Sequence, residues 1–258
     1  LLQRIGIFPS PIYSIAQTVL LIVCLAAIAL LTTFYANMRK KLEEVRVARE
    51  AEQLQRKLIE DQLDIAKGFQ EVLFPKEDIV TSGAEVAGAY RTAQKVGGDY
   101  FDFLMIDDSR IAVLLCDVSG HGVPAAMGMV NIRGIFRAFL MGEVTSPSAI
   151  FKKANNILID EFRDEHFAAF SFCIFNQVTG KLQYCNAGQP HGVHYSASHG
   201  DITQVESVAM PLGVLHNNEQ YVDRAITLLP GDLFMMYTDG VTETVNGSGE
   251  SYGKDRFY

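Results

Sequence analysis

One apolar run of twenty residues, positions 15–34, constrains this chain more than any other feature; its only clearly polar members are Gln17, Thr18, Thr32 and Thr33. A helix rises about 1.5 Å per residue, so the run spans about 30 Å, the thickness of a bilayer's hydrocarbon core. A secretory signal peptide is disfavoured, because the run is too long and no small-residue cleavage pattern follows it. A buried helix of a soluble domain fits less well still, since no face of the segment is polar. Arg39, Lys40 and Lys41 follow the run, against a single Arg4 before it. The positive-inside rule therefore predicts one visible pass through the inner (cytoplasmic) membrane, with everything after residue 38 in the cytoplasm. The chain opens with Leu rather than Met, and the expectation is a piece of a longer protein.

Residues 38–67 are dense in Glu, Arg, Lys, Gln and Leu and contain no Gly or Pro. Val47, Ala51, Leu54, Leu58 and Ile65 fall at spacings of four, three, four and seven, a heptad seam interrupted by Asp61. Two readings stay open: a solvated helical spacer, or a parallel coiled coil that makes the chain a homodimer. The second is favoured, because a helix continuous with a membrane span gains stability from a partner. Gly68 and Pro75 punctuate its end.

The texture then changes. Residues 68–258 carry thirteen basic and twenty-three acidic side chains, a balance of −10. A nucleic-acid partner needs a basic stripe to neutralise phosphates and is excluded on this ground. Cys24, Cys116, Cys173 and Cys185 form no C-x-x-C pair and lie in apolar stretches, so buried thiols are expected, not a disulfide framework or a zinc site. Strands are predicted at 84–90, 99–106, 110–118, 168–176, 181–187, 221–228 and 232–238, and helices at 123–141 and 147–163. Hairpins with inserted helices favour an antiparallel α+β layer fold.

The hairpin 99–106/110–118 carries the most information. Its turn is Asp107-Asp108-Ser109, and centring it on Asp108 pairs residues whose numbers sum to 216. Phe101 then faces Leu115, Phe103 faces Val113 and Met105 faces Ile111, all apolar and all on one face. On that same face, at the open end, Asp99 lies opposite Asp117. Two opposed carboxylates repel, which a shared proton or a bound cation would resolve. Carboxylates and carbonyls select hard ions such as Mg²⁺ or Mn²⁺. Alternatively one aspartate caps a turn and the register is shifted by a residue; the pair alone does not choose. Gly97-Gly98 before Asp99 and Ser119-Gly120-His121-Gly122 after Asp117 favour close approach to an ion or phosphate. Tyr237-Thr238-Asp239-Gly240 places a third aspartate at a predicted strand end. A bare phosphate cradle is the other reading of the Gly-rich loop, but it lacks a Walker lysine.

Five segments now resemble, in order, the SpoIIE/RsbU branch of the PP2C-type (PPM) metal-dependent phosphatases. They are Ala66 through Gln70 to Leu73-Phe74-Pro75; Val96-Gly97-Gly98-Asp99-Tyr100-Phe101-Asp102-Phe103; Asp117-Val118-Ser119-Gly120-His121-Gly122 with Ala125-Ala126; Tyr184-Cys185-Asn186-Ala187-Gly188; and Pro230-Gly231-Asp232 leading to Tyr237-Thr238-Asp239-Gly240-Val241-Thr242-Glu243. The resemblance implies a β-sandwich of two antiparallel sheets with helices outside and a two-metal centre, Mn²⁺ or Mg²⁺, at one end. Asp117 would bridge both ions, the Val118 carbonyl would be a backbone ligand, and Asp99 and Asp239 would each hold one. It also implies a phosphorylated regulatory protein as substrate, often an anti-sigma-factor antagonist. The organisation expected is a membrane segment at 1–37, a helical linker at 38–75 and the phosphatase domain at 76–258.

The chain departs from that pattern in two places. Gln189 follows Gly188 where the family usually has histidine, with His191 two residues later. The family's last metal carboxylate and closing strand would lie beyond Tyr258, so the domain is expected to be incomplete. His121 receives no role, since a loop histidine is more often a surface residue. A diguanylate cyclase, suggested by Gly97-Gly98-Asp99, is rejected because Tyr100 stands where that family has glutamate. The alternative from another class is a catalytically degenerate relay that binds a partner protein.

Overall fold

The structure is a computed structural model that describes residues 10–144, 146–162, 166–206, 208–216 and 219–258. It divides into two compact units, one ending at Gln62 and one covering Leu63–Tyr258.

The first unit is helical. Helix α1 runs Ser10–Glu71 and contains the apolar run, with a mean hydropathy of 2.6 over its most apolar window. By length and composition it is the one described helix able to cross a membrane. Thr18, Thr32 and Thr33 return their hydroxyls to carbonyls three or four residues back, so their polar groups are satisfied within the helix. Cys24 is exposed on this helix, against expectation, since no other described residue covers it. The seam residues Val47, Leu54, Leu58 and Ile65 are likewise exposed in the single chain. The helix runs through Gly68 and ends at Glu71, a few residues before the expected boundary.

The second unit has the α+β layering expected. After two short strands, β1 (Ile79–Val80) and β2 (Glu85–Val86), come β3 (Tyr100–Met105) and β4 (Arg110–Val118), then α2 (Gly122–Leu140) and α3 (Pro147–Phe162). Strands β5 (Ala168–Asn176), β6 (Lys181–Ala187), β7 (Gly192–Ser196), β8 (Asp201–Val205), β9 (Arg224–Thr227) and β10 (Leu233–Met235) follow, and a short helix α4 spans Asp239–Glu243. One five-stranded sheet has the order β3-β4-β5-β6-β9 and a three-stranded sheet the order β10-β7-β8; every pairing is antiparallel.

Helix α2 buries Ala125, Met129, Ile132, Phe136 and Leu140, the three-and-four spacing of one helix face. Helix α3 begins at Pro147, where a missing N–H costs nothing, and buries Ile150, Phe151, Ala154 and Leu158. Along β4, Ala112, Leu114, Cys116 and Val118 point into the core shared with these helices. There Phe136 stacks on Phe170 at 4.8 Å and Phe151 meets Phe170 edge-on at 5.7 Å. Each such ring removed from water contributes roughly 1.5–3 kcal/mol. On the other face of the sheet Val113, Cys173, Leu182 and Tyr184 pack with Val205 of β8 and Phe234 of β10. The large sheet therefore lies between the helices and the small sheet.

Candidate active site

The β3–β4 hairpin has the expected register. Phe101 pairs with Leu115, Phe103 with Val113 and Met105 with Ile111. Asp107 fixes the turn: its carboxylate accepts the backbone N–H groups of Ser109 and Arg110 at 2.9 and 2.8 Å, and these bonds hold it below the usual carboxylate range. At the other end the Val118 N–H donates to the Gly98 carbonyl at 3.4 Å, and near the turn the Ile106 N–H donates to Arg110. Even-numbered residues of β3 thus form the hydrogen-bonded pairs. Extending the ladder by one makes Asp99 and Asp117 a non-hydrogen-bonded pair, the type whose side chains come closest. A misregistered turn cap is no longer a viable account of the two aspartates.

Glycine permits this closure. A Cβ at Gly98 would sit 2.5 Å from the Val118 carbonyl oxygen and 3.2 Å from the Ala125 side chain. Gly120 and Gly122 adopt φ of +96° and +69°, which turns the chain from β4 into α2. His121 between them is exposed, and its side chain makes no cap.

Asp99 and Asp117 meet side chain to side chain. Burial pushes the Asp117 carboxyl up to about 7, and the charge of Asp99 adds to the effect. Burial also raises Asp99, opposed by hydrogen bonds from Asp117 and from the Thr238 hydroxyl, which donates to Asp99 Oδ2 at 3.2 Å. Two carboxylates brought this close at a partly buried position disfavour carrying both charges at once, the repulsion that a proton or a cation would relieve. Asp239 is exposed and opens α4 instead of ending a strand; its charge bears on both partners. The described residues contain no group of three or more His, Cys, Asp or Glu side chains close enough to hold an ion. Asp99 and Asp117 are brought together, and Asp239 faces them only through its field.

The donor chemistry nevertheless fits a hard divalent cation. The Asp99 and Asp117 carboxylates meet, and among the described residues no Lys, Arg or His forms an ion pair with Asp99, Asp117 or Asp239. Charge so placed and so uncompensated is what a cation would neutralise.

Several supporting contacts escaped the sequence reading. The Gln70 side chain brackets Gly97, donating to its carbonyl at 2.7 Å and accepting its N–H at 3.3 Å. Asp102, buried behind the site, takes both Arg137 nitrogens at 2.6 and 2.7 Å and the Tyr100 hydroxyl at 2.6 Å. Gln189 donates to the carbonyl of Ala169, the residue paired with Asp117 on β5, at 3.2 Å. Gln70, Asp102 and Thr238 all lie inside motif segments, which was the available signal. Gln189 marks the departure from the pattern, and the Asn186 side chain closes the turn on its backbone, donating to the Gln189 carbonyl at 2.8 Å and accepting its N–H at 2.9 Å.

The sandwich is the PP2C-like architecture. The chain superposes on the SiaA-PP2C domain of Pseudomonas aeruginosa with a TM-score of 0.64 at 18% identity, over 78% of this chain and 80% of that one. The RsbU and RsbW domains of Rv1364c from Mycobacterium tuberculosis align with a TM-score of 0.52 at 29% identity, over 61% of this chain and 42% of that one. Residues 107–258 match the family described as Stage II sporulation protein E (SpoIIE), and the chain belongs to that family. Among curated relatives, phosphoserine phosphatase RsbU of Bacillus subtilis (strain 168) is 27% identical over 195 residues, 73% of this chain. The chain spans 56% of that relative's length.

Proposed function

We propose that this chain is a membrane-anchored, metal-dependent protein serine/threonine phosphatase whose substrate is a phosphorylated regulatory protein. The observation that carries the reading is the opposed Asp99–Asp117 pair, uncompensated by any described cation and set at the end of a PP2C-like sandwich. A relative named as a phosphoserine phosphatase supports the choice of substrate.

Asp99, Asp117, Asp239 and the Val118 carbonyl would hold the ions. Two bound Mn²⁺ or Mg²⁺ ions supply an activated water and positive charge against the phosphate. The remaining work falls to the chain. Gly98 lets β3 approach Val118, Thr238 orients Asp99, and Gln70 fixes the loop that precedes it. Water adds at phosphorus as the bond to the serine or threonine oxygen breaks, giving inorganic phosphate and the free hydroxyl. No phospho-enzyme is expected.

The apolar part of α1 would anchor the chain, with the second unit in the cytoplasm by the positive-inside rule. The exposed seam Val47–Leu54–Leu58–Ile65 supports a homodimer through this helix. The partner class, an anti-sigma-factor antagonist, rests on resemblance alone. The test is phosphate release from a phosphoserine protein with Mn²⁺ and with chelator, alongside a variant lacking residues 38–67. Chelator should abolish release, and the deletion should change turnover. Chelator-resistant release would end the metal-dependent reading, and unchanged turnover would mean that a dimer through the linker helix does not govern release.

A further inference from the structure

The second unit is strongly acidic, yet one concavity beside the carboxylate pair is rimmed by cations. A pocket of about 250 Å³ opens where the last turns of α1 meet the loop before β3, and Lys67, Arg91 and Lys95 stand on its rim. Its apolar wall is the stacked pair Phe74 and Tyr90, with ring centroids 4.5 Å apart. Its inner side is the Gln70-bracketed loop that leads through Gly97 directly to Asp99.

Two observations tie the pocket to the site. A Cβ at Gly97 would lie 3.1 Å from the Tyr90 hydroxyl, so the phenol stands against the Gly97-Gly98 loop. Burial, and after it the charges of Asp99 and Asp117, raise the Tyr90 pKa, as expected for a phenol facing the pair. The Tyr90 oxygen is buried beside Thr92 and closes no hydrogen bond of good geometry.

The charges are unequal in their commitments. Lys67 pairs with Glu71 at 3.7 Å and Lys95 with Asp64, both at partly exposed positions where such pairs are weak. Arg91 is exposed and forms no ion pair among the described residues. Three cations against two carboxylates make this rim positive on a unit whose overall balance repels anions. A guanidinium free of intramolecular partners is suited to bidentate capture of a carboxylate.

We propose that this pocket is the docking site for acidic side chains flanking the phosphorylated residue of the substrate, with Arg91 the principal contact and Lys95 and Lys67 in support. The inference rests on the phosphatase reading and adds a specificity to it: phosphoserine segments rich in Asp and Glu are taken over basic ones. The Phe74–Tyr90 wall offers the passing peptide backbone an apolar surface.

The test compares kcat/KM for two phosphoserine peptides, one flanked by Asp and Glu, one by Lys and Arg, using the full chain in detergent with Mn²⁺. The acidic peptide should be favoured about tenfold at low salt, with the preference shrinking steeply as salt screens the rim. Arg91→Glu, which breaks no ion pair, should remove or invert the preference, and Arg91→Lys should keep part of it. Equal kcat/KM for both peptides in the wild type, or an unchanged preference in Arg91→Glu, would overturn the proposal. If neither peptide is hydrolysed the phosphatase reading fails, and fluorescence anisotropy of the same labelled peptides still decides the pocket: tighter binding of the acidic one, lost in Arg91→Glu, upholds it, and equal binding rejects it.

Discussion

Replacing Asp117 with Asn removes one charge from a place where the protein holds two carboxylates against each other. A carboxyl moved from 3.8 up to about 7 corresponds, at about 1.4 kcal/mol per pH unit, to about 4 kcal/mol of disfavoured charge. Asp117 is only half-buried and solvent screens it, so about 1–2 kcal/mol is expected in measured stability. The sign follows from proton binding. Between the ordinary value and the raised one the folded state holds more protons than the unfolded state, so wild-type stability falls as pH rises through that window. In chelator, Asp117→Asn should match the wild type near pH 4, gain on it up to about pH 7, and stay ahead by about 1–2 kcal/mol above that. Added Mn²⁺ should reverse the order at pH 8, because the wild type binds the ion and the variant does not. Urea unfolding followed by tyrosine fluorescence is the assay, since the chain has no Trp. A variant less stable than wild type in chelator at pH 8, or equal stabilisation of both by Mn²⁺, would refute the reasoning.

Gly98→Ala forces a methyl group to 2.5 Å from the Val118 carbonyl and must displace Asp99; kcat should fall at least about tenfold and stability by about 1–3 kcal/mol, read by steady-state kinetics and urea unfolding. Gly134→Ala, with nothing within 4 Å, should instead stabilise α2 by about 0.5–1 kcal/mol. Arg137→Met leaves the buried Asp102 carboxylate with Tyr100 alone and should cost about 2–3 kcal/mol in urea unfolding. Thr238→Val should weaken Mn²⁺ binding about tenfold by calorimetry, with Thr238→Ser close to wild type, because only the hydroxyl reaches Asp99.

The hairpin at the heart of the site was legible because both of its strands alternate cleanly and a polar turn fixes their register. A turn centred on Asp108 pairs Phe101, Phe103 and Met105 with apolar partners, and the structure has that register, which opposes Asp99 to Asp117. Helices α2 and α3 were legible for the same reason, each carrying one apolar face. Strands β7 and β8 were not. Between Gly192 and Val205 every residue after Val193 is exposed or only partly buried, so the sequence shows polar loop texture although the backbone pairs regularly. The apolar run that leads to Tyr237 predicts a strand ending at Asp239; the chain instead turns at Thr238 into α4. The contacts that orient the site were out of reach for another reason. Thr238 meets Asp99 across 139 positions and Gln70 meets Gly97 across 27, and no local pattern encodes such distances. The motif segments marked these residues without saying what each one touches.

The central claim is that the Asp99–Asp117 pair holds the ion on which phosphate release depends. One preparation of the full chain, titrated with Mn²⁺ by calorimetry and assayed in parallel for phosphate release from a phosphoserine protein, tests it with Asp117→Asn alongside. The account predicts Mn²⁺ binding and release in the wild type, and loss of both in the variant while it remains folded. Release that persists in Asp117→Asn, or in chelator, would contradict it.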